Sequence, residues 1–170
     1  MKILCVIDMQ NDFIDGALGT KEAVAVVPCV KEKIELYRKN GDTVIFTRDT
    51  HTEDYLNTAE GRKLPVVHCI KDSDGWQITS ALSTEGCEII DKPTFGSYEL
   101  INNIAFLEGV ESVELVGICT DICVISNAML VKAAFPEMPV SVDSACCAGV
   151  TPESHTNALN AMKMCQIDVI

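Results

Sequence analysis

Residues 117–130 read GICTDICVISNAML and place two cysteines, Cys119 and Cys123, four apart. A Cys-x₃-Cys spacing is a poor zinc signature, and no second Cys pair sits at a matching distance. A redox pair favours Cys-x-x-Cys near a thioredoxin-like pattern. Cys119 therefore reads as packing, or as a backbone group at a strand exit. Cys123 has a physical case as a nucleophile. Thr120 or Asp121 is a good N-cap, which puts Cys123 in the first helical turn, where free N–H groups and the macrodipole favour a thiolate. An ammonium such as Lys92 would lower its pKa, and a carboxylate such as Asp8 could take its proton. The same N–H groups could hold an oxyanion. The competing reading is a buried cysteine that only packs.

A second cluster is Asp49 and His51, in TRDTH, with His68, in LPVVHC. Two histidines and a carboxylate suit zinc or iron and leave positions for substrate or water. The alternative is an aspartate that caps a turn beside a satisfied histidine. The chain has three histidines, and two fall in this cluster. His155, early in the last helix, reads as a surface residue. Phe13, in NDFIDGALG, is either core or an aromatic wall for a flat substrate. Trp76 is a second candidate for that wall, or an anchor for its loop.

Short continuous apolar runs must position these groups: KILCVI (2–7), DTVIFT (42–47), CEII (87–90), SVELVGI (112–118), PVSV (139–142) and QIDVI (166–170). Unbroken runs of this kind are parallel strands covered on both faces. Helical patterns separate them, over 28–39 with Pro28 in the first turn, 97–107, 121–134, and from Thr151 as N-cap with Pro152 at N1. Alternating strands and helices predict an α/β/α three-layer sandwich with a mainly parallel, Rossmann-like sheet, in one domain over 1–170. In such sheets ligands bind beyond the carboxyl ends of the strands. Asp8, Asp49, His51, Lys92, Cys119 and Cys123 all follow strands and so collect at one edge. The stretch 52–86 is long and polar without periodicity, as functional or mobile excursions are.

Thirteen basic against 25 acidic residues give a net charge of −12. With no basic run, neither nucleic acid nor an anionic membrane is an expected partner. No segment approaches the roughly 20 apolar residues of a membrane span. The first apolar run is broken at Asp8, too early for a signal peptide, so a cytoplasmic location is expected. Nine cysteines then read as reduced, with Cys5, Cys29, Cys69, Cys87 and Cys165 as small core residues and no metal site at Cys146–Cys147.

Taken together, IDMQNDF…GALG, TRDTH, LPVVHC, KPTFGS and GICTDICV resemble the isochorismatase-like cysteine hydrolases, their nicotinamidase branch in particular, from Met1 to about Ala148. The resemblance implies a six-stranded sheet, a catalytic triad of Asp8, Lys92 and Cys123, and a divalent metal, usually zinc, on Asp49, His51 and His68. It also implies a cis peptide before Cys119, turning the N–H of Cys119 toward an oxyanion beside that of Cys123. The implied substrate is a small primary carboxamide, nicotinamide first, with Phe13 against it, in a homo-oligomeric enzyme. An N-carbamoyl or ureido compound is the alternative on the same scaffold, and a non-enzymatic thiol or metal protein a more distant one. One departure stands out. Nicotinamidases often carry Trp three residues before the last metal histidine, and Pro65 holds that place here.

Overall fold

The computed structural model describes residues 1–170. The first apolar run forms β1 (Lys2–Ile7), and from Ile3 to Ile7 every residue is fully buried. Its side chains divide between two cores with the period of two that a strand imposes. Ile3, Cys5 and Ile7 enter one core and Leu4 and Val6 the other. A strand with no polar face needs a layer on each side. On the Leu4 side lie α1 (Asn11–Ile14) and α2 (Lys21–Lys39). On the Ile3 side lie α3 (Tyr98–Phe106), α4 (Ile125–Ala134) and α5 (Pro152–Met164).

The remaining strands are β2 (Thr43–Asp49), β3 (Glu88–Lys92), β4 (Ser112–Ile118), β5 (Val140–Ala148) and β6 (Asp168–Val169). They form one six-stranded sheet in the order β3-β2-β1-β4-β5-β6, with every pairing parallel. The chain moves outward from β1 to β3, then returns to the other side of β1 as β4. The switch point between β1 and β4 opens a crevice at the strand ends. At that point Gly117 is required. Its φ is +118°, and a Cβ there would collide with the Ile7 carbonyl oxygen of the paired strand.

Several boundaries differ from the sequence expectation. The helix expected from residue 28 begins at Lys21, because Thr20 caps it by accepting from the Ala23 N–H, and Pro28 lies in its interior. The strand expected over 139–142 runs on to Ala148, while the one over 166–170 keeps only two residues. The helix expected over 121–134 is divided. Its first turn, Thr120–Val124, is a wider π turn that leads into α4.

The expectation that Cys29 is a reduced core residue is overturned: Cys29 on α2 and Cys146 on β5 form a disulfide. The two are 117 residues apart, so only the packing of α2 on the sheet brings them together. Cys5 and Cys69 are buried thiols, but Cys87 is half-buried and Cys165, capping the end of α5, is exposed.

Residues 52–86 are ordered by contacts rather than by periodic structure. Trp76 Nε1 donates to Thr50 Oγ1 at 2.9 Å, and the Arg48 guanidinium lies 3.5 Å over its ring. Trp76 is thus the anchor of this loop. No helix is long and apolar enough to cross a membrane.

Candidate active site

Asp8 follows the last residue of β1 and takes a left-handed φ of +48°. The Thr47 hydroxyl on β2 donates to its Oδ1 at 2.6 Å. Lys92, the last residue of β3, is fully buried and reaches across the strand ends. Its Nζ is 2.6 Å from Asp8 Oδ2, 3.5 Å from Asp49 Oδ1 and 3.5 Å from Cys123 Sγ, and it donates to the Thr94 carbonyl at 3.1 Å. Cys123 comes from the π turn after β4. Asn127, one helical turn on, donates to the Cys123 carbonyl at 2.8 Å and to that of Phe95 at 3.0 Å. Its Oδ1 accepts from the Ser97 N–H at 2.9 Å, so α4 is tied to the loop that follows Lys92.

Burial dominates the protonation of this group. It pushes Asp8 above the usual carboxylate range, with Lys92 pulling down and Asp49 pushing up. It holds Cys123 well above an ordinary thiol, Asp8 adding to the rise and Lys92 opposing it. This corrects the expectation of a low-pKa thiolate: the free thiol is neutral, because desolvation outweighs one ammonium and a helix start. Burial alone would lower Lys92, but Asp8, Cys123 and Asp49 together outweigh it and raise the lysine.

The peptide between Ile118 and Cys119 is cis. No backbone carbonyl accepts from the Cys119 N–H, while the Cys119 carbonyl accepts from Ile122 and Val124 at 3.1 and 3.0 Å. The Cys119 side chain lines the crevice, and burial pushes its thiol up to about 12.

Asp49, His51 and His68 lie together as expected, and Glu60 joins them. One potential ligand atom from each of the four lies within 4.8 Å of the others. Asp49 Oδ2 is 2.9 Å from His51 Nε2 and 3.6 Å from His68 Nε2. The Val66 carbonyl can only accept, so its 2.8 Å contact puts the proton of His68 on Nδ1 and leaves Nε2 facing the cluster as a lone pair. Burial pushes Asp49 up, but the two histidines and the Lys92 ammonium beside it together outweigh that and hold the carboxylate far below its usual range. Burial raises Glu60, and Asp49 adds to that rise. The buried atoms Asp49 Oδ1 and His51 Nε2 have no hydrogen-bond partner. Unpaired buried polar atoms are costly. A nitrogen and oxygen donor set with such orphans fits a divalent cation.

Gln10, Glu60, Thr47 and Asn127 were not singled out from sequence. Gln10 has the clearest function among them. Its Oε1 accepts from the Asp49 N–H at 2.7 Å, and its Nε2 donates to the carbonyls of Asp49 and Trp76 at 2.8 and 2.9 Å. A buried glutamine two residues after a strand-end aspartate was the available signal. His155 departs from expectation too: it is partly buried and bonded to Thr120 at 2.8 Å.

A crevice of about 620 Å³ opens over both clusters, and 11 of its 18 lining residues are hydrophobic. Its lining includes Cys119 and Cys123, the acidic and imidazole groups of Asp49, Glu60 and His68, and the apolar side chains of Phe13, Phe95 and Ile122. The Phe13 ring lies 5.5 Å from that of His68. Where the sequence lacks the tryptophan, Leu64, next to Pro65, lines the crevice.

The isochorismatase domain model matches residues 2–170. A nicotinamidase of Schizosaccharomyces pombe is 26% identical, over 98% of this chain and 91% of its own. A protein of Arabidopsis thaliana described as a probable inactive nicotinamidase is 31% identical, over 94% and 87%. Among solved structures, the pyrazinamidase of Pyrococcus horikoshii in complex with zinc superposes with a TM-score of 0.87 at 28% identity, covering 99% of this chain and 98% of that one. The chain belongs to the isochorismatase family, on its nicotinamidase-like branch.

Proposed function

We propose that this protein is a cysteine amidohydrolase that cleaves a small primary carboxamide, nicotinamide foremost, to the carboxylate and ammonia. The observation that carries the reading is the Lys92 ammonium, buried and within 3.5 Å of both Cys123 Sγ and Asp49 Oδ1 while paired with Asp8 at 2.6 Å. It joins a nucleophile, a base and the metal-type cluster in one site.

Asp8 takes the proton from Cys123 Sγ as the sulfur attacks the amide carbon. A raised Asp8 pKa makes it a better base for a neutral thiol. The N–H groups of Cys119 and Cys123 hold the oxyanion. Asp8 returns the proton to the departing nitrogen, ammonia leaves, and a thioester remains. Asp8 then deprotonates a water that cleaves the thioester, and the proton goes back to sulfur. Lys92 balances the charge on Asp8 throughout. Phe13 stacks along the substrate ring.

Asp49, His51, Glu60 and His68 would hold a divalent metal, zinc by the nature of the donors. When bound it supplies an electrophilic position for a ring nitrogen. Gln10 and Val66 orient Asp49 and His68 toward it.

Ammonia release is to be measured over a panel of carboxamides and carbamoyl compounds, with and without zinc. Turnover of pyridine carboxamides, with a raised KM after chelation, is the expected result. Turnover confined to ureido compounds moves the substrate to the alternative class. No ammonia from any member rejects the reading.

A further inference from the structure

Thr120 and Asp121 open the turn that carries Cys123; Thr120 is tied to α5 and Asp121 to the segment between β5 and α5. Thr120 is fully buried, and its hydroxyl shares a 2.8 Å hydrogen bond with His155 Nδ1. The Asp121 carboxylate accepts from the Val150 N–H at 3.1 Å. Val150 and the neighbouring Gly149 both line the crevice. A Cβ on Gly149 would lie 2.9 Å from the His155 backbone nitrogen and Cβ, so the first turn of α5 packs back on the residues before it as closely as a glycine allows.

His155 is itself held. It sits one turn into α5, whose N-cap Thr151 and Ser154 form a reciprocal capping box. Burial lowers its pKa, with the Asp121 charge opposing. The ring is therefore neutral at neutral pH, and its bond to Thr120 needs no counterion. The amide hydrolysis scheme uses neither His155 nor Thr120.

We propose that His155 is a positioning residue that acts through Thr120 to hold the Thr120–Val124 turn. It fixes the Cys123 sulfur and the Cys119 N–H relative to one another. The proposal rests on the hydrolase reading only for its kinetic half. Sulfur and N–H act together in the transition state rather than on bound substrate, so loosening them lowers kcat and spares KM.

The test uses zinc-loaded protein and two readouts. One is nicotinamide turnover. The other is the rate at which iodoacetamide alkylates Cys123, located by peptide mass, which needs no turnover. His155→Ala and Thr120→Val should each lower kcat about tenfold or more with KM within about twofold. The double variant should be no worse than either single one, since both remove the same contact. His155→Asn, which keeps a polar atom near the Nδ1 position, should recover kcat to within about threefold. Cys123 alkylation should quicken about threefold or more in the Ala and Val variants and not in Asn.

Losses that multiply in the double variant overturn the proposal. So does an Asn variant as impaired as Ala at equal thermal stability, or unchanged alkylation in both weakened variants. If His155→Ala does not fold, Thr120→Val carries the same test. If wild type turns over no carboxamide, the hydrolase reading fails, and the alkylation series alone decides whether the brace exists.

Discussion

Asp8 is fully buried and 2.6 Å from the Lys92 ammonium, so opposed effects set its affinity for a proton. Burial wins and raises it. A protonated carboxyl cannot accept the thiol proton, so kcat/KM should fall on the acid side with an apparent pKa above about 3.9, the unperturbed value. Lys92→Gln removes the charge that pulls Asp8 down, so in its residual activity this limb should move to higher pH. A pH–rate series on both proteins checks the direction, and a limb at or below the unperturbed value counts against Asp8 as base. Cys123→Ala should lower turnover by at least about 10³-fold. Its thermal midpoint should stay within about 4 °C, since one sulfur atom is lost from a folded core. Cys119→Ala should keep turnover within about threefold, because its assigned part is a main-chain N–H that alanine also has. At this scale the sequence announced residue types well and protonation poorly. Cys123 could be ranked by its place at a helix start, but its neutrality depends on desolvation by partners distant in sequence. Glu60 and Gln10 stayed hidden because a polar residue in an irregular stretch carries no period to mark which way it faces.

At the scale of elements, the alternating residues of β1 fix which helices cover which face, and the sheet order places the ends of β1, β2, β3 and β4 side by side. That much was legible, because buried parallel strands read as unbroken apolar runs and the strand-end rule does the rest. What was not legible were stops and starts set by tertiary contact: the long β5, the early start of α2, and the π turn. The Cys29–Cys146 link belongs with these. Gly117 offers a test at this scale. Gly117→Ala should lose about 3 kcal/mol of stability or more, since the left-handed φ and the collision with Ile7 act together. Urea unfolding measures it, and a loss under about 1 kcal/mol contradicts the packing of β1 on β4 described above.

For the whole molecule, the disulfide closes a loop of 117 residues between a helix and the sheet. Chain entropy puts the stabilisation from a loop of about 100 residues near 4–5 kcal/mol. Cys29→Ala, or reduction, should lower unfolding free energy toward that amount without abolishing turnover, because neither cysteine touches the reacting group. Denaturation with and without reductant, followed by an activity assay, checks both halves. The −12 charge bears on solubility and encounter rates, and no part of the site described here depends on it.

The crevice draws its two halves from different parts of the chain. Asp8, Lys92 and Cys123 stand on strand ends and a helix start, whereas Glu60, Lys63, Leu64 and His68 all come from the one connection between β2 and β3. That connection is pinned to the body through Trp76, whose carbonyl accepts from Gln10, and through the Cys69 N–H, which donates to Asp12, rather than through the reacting groups. Catalysis and selectivity are therefore written in separable passages. Replacing residues 56–67 while keeping those anchors alters which molecule is admitted and leaves the machinery that breaks its bond in place.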